Sequence, residues 1–90
     1  MTERLTWQVT VMPAAEKELK RLPPQGQARV RAAIEGLRSG PPYGHLRKLK
    51  GRENEWRLRV GDWRIRLRPD LRTRVIVILH VLPRESAYRD

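Results

Sequence analysis

The sequence predicts an α+β fold in the order β-α-α-β-β-β, one small antiparallel-rich sheet with a helical hairpin packed on one face. Three observations predict it. Apolar residues alternate in 6–12 and 55–68 and form a nearly unbroken run in 74–81. The intervening stretches 13–22 and 25–38 carry helical spacing instead. Pro23-Pro24 and the segment SGPPYGH at 39–45 separate these patterns.

In the first element, TWQVTVM is β-branched and alternating, which reads as a strand. Pro13 then stands at the favoured first position of a helix. Ala15, Leu19 and Leu22 share one face of that helix, and Pro23-Pro24 ends it because a residue before proline avoids helix. The second helix puts Val30, Ala33, Ile34 and Leu37 on one face. Beyond residue 45, EWRLRV at 55–60 and WRIRLR at 63–68 are strands joined by a two-residue Gly61-Asp62 turn. Pro69-Asp70 reads as the next turn, and RVIVILHV as a central strand covered on both faces, with a buried helix as the alternative that the pattern leaves open. Neither a repeat nor a second domain is visible, so residues 1–90 are read as one domain.

Composition narrows the function. With no cysteine there is no disulfide and no thiolate metal site, which fits a reducing cytoplasm. No apolar run approaches the roughly 20 residues that span a bilayer. The start, MTERLTWQV, carries an acid where a signal peptide has its apolar stretch. A cytoplasmic protein without membrane association is expected. Lys and Arg number 20 against 10 Asp and Glu, a net charge of +10. Residues 1–45 hold seven basic and four acidic groups, and residues 46–90 thirteen and six. The excess therefore lies in folding sequence rather than in a disordered tail, and it points to an anionic partner.

The hairpin concentrates this charge. A two-residue loop pairs Val60 with Trp63, Arg59 with Arg64, Leu58 with Ile65, Arg57 with Arg66 and Trp56 with Leu67. Alternation sends Trp56, Leu58, Val60, Trp63, Ile65 and Leu67 to the core, and Arg57, Arg59, Arg64, Arg66 and Arg68 to the open face. Like charges directly opposite destabilise a sheet. Negative charge from outside the chain is therefore expected, and guanidinium forks suit phosphate and carboxylate alike. RNA, DNA and an acidic protein all remain open at this step.

Familiar catalytic constellations are missing. The two histidines, His45 and His80, fall in a loop and a strand and read as structural. There are no paired carboxylates, no phosphate-cradling glycine loop and no HExxH, so neither metal nor cofactor is expected. What remains is Lys48-Leu49-Lys50-Gly51 before the hairpin, and Arg84 with Tyr88 after the last strand.

Those segments carry a resemblance. RKLKG at 47–51, WRLRVGDWRI at 56–65, an apolar strand and PRESAYR at 83–89 resemble the RelE/ParE superfamily of bacterial type II toxins over the whole chain. The resemblance implies the same β-α-α-β-β-β fold and a co-expressed antitoxin as partner. It offers two activities: RelE-like cleavage of messenger RNA at the ribosome, or ParE-like inhibition of DNA gyrase. An inactive basic RNA-binding domain is a further alternative. For RelE-like cleavage the matching positions are Lys48, Lys50, Arg59, Arg84 and Tyr88. Crowding by Arg57, Arg59 and Arg64 would favour a neutral amine, which makes Lys48 or Lys50 a candidate base. Arg59 and Arg84 are expected to stabilise phosphate charge, and Tyr88 to exchange a proton or stack on a base. Arg47, Arg52, Arg57, Arg64, Arg66 and Arg68 are expected to bind nucleic acid. Arg59, Arg84 and Tyr88 together favour the endoribonuclease over the gyrase inhibitor. Two positions depart from the pattern: Pro83 stands where many relatives carry a histidine or basic residue, and the second hairpin strand ends in LRP rather than tyrosine.

Overall fold

A computed structural model describes residues 7–84, which leaves Tyr88 and the rest of 85–90 outside the described residues. The elements are β1 (Gln8–Val11), α1 (Pro13–Lys20), α2 (Pro24–Gly36), β2 (Leu46–Lys48), β3 (Trp56–Val60), β4 (Trp63–Asp70) and β5 (Val75–Pro83). Two short 3-10 turns, Leu37–Ser39 and Tyr43–His45, carry the chain from α2 to β2. The sheet has five strands in the order β1-β5-β4-β3-β2. β1 lies parallel to β5, and the other neighbours are antiparallel. The hairpin register is the one the two-residue turn requires, from Val60 opposite Trp63 to Trp56 opposite Leu67. Gly61 takes φ +58 there, a left-handed backbone conformation that glycine adopts without strain.

Three details differ from expectation. A fifth strand, β2, pairs Leu46, Arg47 and Lys48 with Leu58, Arg57 and Trp56. Strand β4 runs through Pro69 and Asp70, and the reversal follows it. Pro69 is tolerated because β3 stops opposite Leu67, so the side that lacks an N–H has no strand to satisfy. The Asn54 side-chain amide donates to the Pro69 carbonyl. Finally, β5 is central but covered on one face only. Ile76 and Ile78 are buried, while Val75, Val77 and Leu79 are half-buried.

The core brings Ala15 and Leu19 of α1, and Val30, Ile34 and Leu37 from α2 and its end, onto Leu58, Ile65, Leu67, Ile76, Ile78 and Val81. Gln27 closes the α1 C-terminus by donating to the Lys20 and Leu22 carbonyls, at 3.2 and 3.0 Å. Beyond Ile78, β5 has outrun β1, and its register slips between the partners of Arg66 and Leu67. Glu18 of α1 covers this edge. Its Oε1 accepts the Val81 N–H at 2.8 Å, and its Oε2 lies 3.1 Å from His80 Nδ1.

Gly26 lets α2 lie against the Trp63 ring: a Cβ there would come within 2.7 Å of Trp63 Cη2. Helix propensity alone favours alanine by up to about 1 kcal/mol. Overpacking a buried contact costs about 1–3 kcal/mol. Gly26→Ala is therefore expected to lower stability by about 1 kcal/mol and the melting temperature by roughly 4–8 °C. Denaturant and thermal melts check the sign.

At the β4–β5 reversal, Asp70 Oδ1 accepts the backbone N–H groups of Arg72 at 2.9 Å and Thr73 at 3.3 Å. These bonds, Thr73's the stronger influence, hold the Asp70 carboxyl below its ordinary value of 3.8. Its stabilising contribution is thus full above 3.8 and disappears as pH falls through the lowered value. Amide exchange at Arg72 and Thr73 should accelerate over that acid range and not above it. No helix among the described residues is long and apolar enough to cross a membrane.

Candidate nucleic-acid interface

Sheet register gathers the basic side chains into rows. Arg47 of β2 stands opposite Arg57 of β3, Arg57 opposite Arg66 of β4, and Arg66 opposite His80 of β5. The neighbouring row begins with Arg59 opposite Arg64 and continues to Leu82. Between the rows lies a depression of about 270 Å³ lined by Gly44, His45, Leu46, Arg47, Arg57, Arg59 and Arg64. Arg47 and Arg59 are exposed and make no hydrogen bond or ion pair among the described residues. Four arginines line it, and among the described residues no carboxylate does. Such a site attracts a phosphate and can grip it through paired N–H donors.

The face is not uniformly open. Arg64 is 2% and Arg66 6% exposed, although both were expected on a solvated surface. Arg64 Nη1 donates to the Gly61 and Trp63 carbonyls, folding the side chain along the turn. Arg66 is paired within the chain: its Nε and Nη2 lie 2.9 and 2.7 Å from Glu55 Oε2, and Glu55 is itself buried. Negative charge for this arginine is therefore supplied internally. Arg66 belongs to the structure rather than to a nucleic-acid contact.

The remaining positions divide. Lys48 stands opposite Trp56, on the other face of the sheet from Arg57 and Arg59, with Nζ 5.7 Å from the Trp56 ring centroid. The crowding expected from Arg57, Arg59 and Arg64 therefore does not reach it. Tyr43 meets the same indole edge-on at 5.3 Å. Lys50 is exposed in the loop after β2. Arg52 and Arg68 border a separate hollow with Glu53 and Glu55, and Arg52 Nη1 lies 3.9 Å from Glu55 Oε1. That hollow is larger, but its carboxylates make it a poorer home for phosphate. Arg84 donates its backbone N–H to the Asp62 carbonyl at 3.0 Å. It directly follows the end of β5, where Leu82 stands opposite Arg64. His45 was passed over in the sequence, yet it lines the depression.

Against known proteins, the profile described as the ParE toxin of the type II toxin-antitoxin system parDE matches residues 9–88. The chain belongs to this toxin family. A RelE1 protein of Methanocaldococcus jannaschii, provisionally named a toxin, is 31% identical over 77 residues, covering 82% of this chain and 86% of that protein. The RelBE2 toxin-antitoxin complex of Mycobacterium tuberculosis contains a chain with a TM-score of 0.77 and 30% identity, covering 88% of this chain and 99% of that one. An archaeal RelE-RelB complex from Pyrococcus horikoshii gives a TM-score of 0.77 at 28% identity, covering 94% and 99%. The toxin thus shares with these RelE chains its α+β fold, two helices on a five-stranded sheet.

Proposed function

We propose that this toxin is a ribosome-dependent mRNA endoribonuclease. In the reaction the 2′-oxygen attacks the adjacent phosphorus, the bond to O5′ breaks, and a cyclic phosphate and a 5′-hydroxyl remain. The supporting observation is the depression lined by Arg47, Arg57, Arg59 and Arg64, whose positive charge suits the phosphate and the charge it gains in the transition state. Arg59, exposed and unpaired among the described residues, meets the equatorial oxygens, with Arg84 arriving from the end of β5. Lys50 and Tyr88 are available for delivering a proton to O5′. Lys48, beside Trp56, contributes general attraction.

The partner proposed for the resting state is a co-encoded antitoxin, as in the toxin-antitoxin complexes that this fold resembles. A second reading, non-enzymatic inhibition of DNA gyrase, draws support from the ParE family match. Primer extension on messenger RNA after brief induction, with gyrase-dependent breaks scored in parallel, separates the two. Cuts within codons are expected. Double-strand breaks with intact messages would select gyrase.

A further inference from the structure

Cleavage by a 2′-hydroxyl needs a group to take its proton, and most of the depression cannot serve. Arginine is not deprotonated in proteins, and four of the seven described residues that line the depression are arginines. Gly44 and Leu46 have no titratable side chain, and Lys48 lies on the opposite face. Among the described lining residues that leaves His45, whose imidazole has a ring nitrogen able to accept a proton.

Its position is set by the turn before β2. His45 closes the short 3-10 turn Tyr43–His45 and directly precedes Leu46, which stands opposite Leu58. It lines the depression with Arg47, Arg57, Arg59 and Arg64. The backbone is held in place by the His45 N–H, which donates to the Pro42 carbonyl at 2.7 Å. The side chain is exposed and has no hydrogen bond or ion pair among the described residues. The charged groups around it are Arg47 from β2, Arg57 and Arg59 from β3, and Arg64 from β4. No carboxylate in that set engages the ring.

We infer that His45 is the general base of the reaction, acting on the nucleotide whose phosphate lies in the arginine depression. The imidazole takes the 2′-hydroxyl proton as the O2′–P bond forms. The P–O5′ bond breaks as O5′ receives a proton from a separate acid, and the imidazolium later returns its proton to solvent. The assignment rests on the endoribonuclease reading.

The test is single-turnover cleavage of ribosome-bound message between about pH 5 and 9, for wild type, His45→Gln and His45→Ala. His45→Gln should cleave about 100- to 10,000-fold more slowly and lose the acidic limb of the pH–rate profile. Added imidazole should restore part of the rate to His45→Ala and none to wild type. Since the ring is exposed, thermal midpoints should stay at the wild-type value. Cleavage by His45→Gln within about threefold of wild type, with the acidic limb intact, would overturn the assignment. A wild-type protein that leaves messages uncut would overturn the underlying nuclease reading instead, and with it the role of His45.

Discussion

Arg59→Ala is expected to lower messenger RNA cleavage about 100- to 1,000-fold, the loss typical when one preorganised donor to a transition-state oxyanion is removed. Melting temperature should change little, because the side chain is exposed and unpaired among the described residues. Ribosome association should weaken far less than cleavage, since Arg47, Arg57 and Arg64 continue to attract phosphate. Arg84→Ala and Tyr88→Phe should show the same imbalance. Arg68→Ala serves as the contrast. It lies outside the depression and should only flatten the salt dependence of binding, by about 0.7 in the log–log slope on single strands. Full cleavage by Arg59→Ala would remove this residue from the chemistry. Continued toxicity through gyrase would make the arginines a protein-binding surface.

Glu55→Gln should be the most damaging single change to stability. Arg66 is buried against Glu55, and removing one partner of a buried pair typically costs about 3–5 kcal/mol. A domain of this size has about 5–15 kcal/mol in total. The expected fall in melting temperature is at least roughly 12 °C. Replacing both partners with apolar residues, Glu55→Leu with Arg66→Met, should recover most of that loss, since the desolvation cost leaves with the charges. A loss below about 1 kcal/mol for Glu55→Gln would mean that the pair is weak despite its burial. The double variant also probes function: cleavage retained would confirm that Arg66 does not handle the phosphate.

The hairpin was legible in the sequence because Gly61-Asp62 allows one tight reversal, and alternation then assigns each side chain a face. The helices were legible because Ala15, Leu19, Val30, Ile34 and Leu37 recur at helical spacing. β2 was missed because three residues, Leu46–Lys48, are too few to establish a period. The place of His45 beside the arginines was missed with it, since the short turn Tyr43–His45 that brings it to the depression has no periodic signature. The burial of Arg66 was hidden for another reason. Its counter-charge, Glu55, opens the predicted strand 55–60, but the register counted from the turn stops at Trp56, so pairing charges within the hairpin found only repulsion. Pro69 was read as a breaker because nothing local announces that β3 stops short of it.

The parallel pairing of β1 with β5 has a consequence for synthesis. β1 is made first, yet its sheet neighbour is residues 75–78, and β5 also completes β4. Contacts this distant in sequence form late. While β5 is still inside the ribosome that makes it, β1 has no strand beside it, and α1 lacks the edge that Glu18 covers. The β5 side of the sheet is therefore the last part of the described fold to close, since neither β1 nor β4 has its neighbour until residues 75–83 are available.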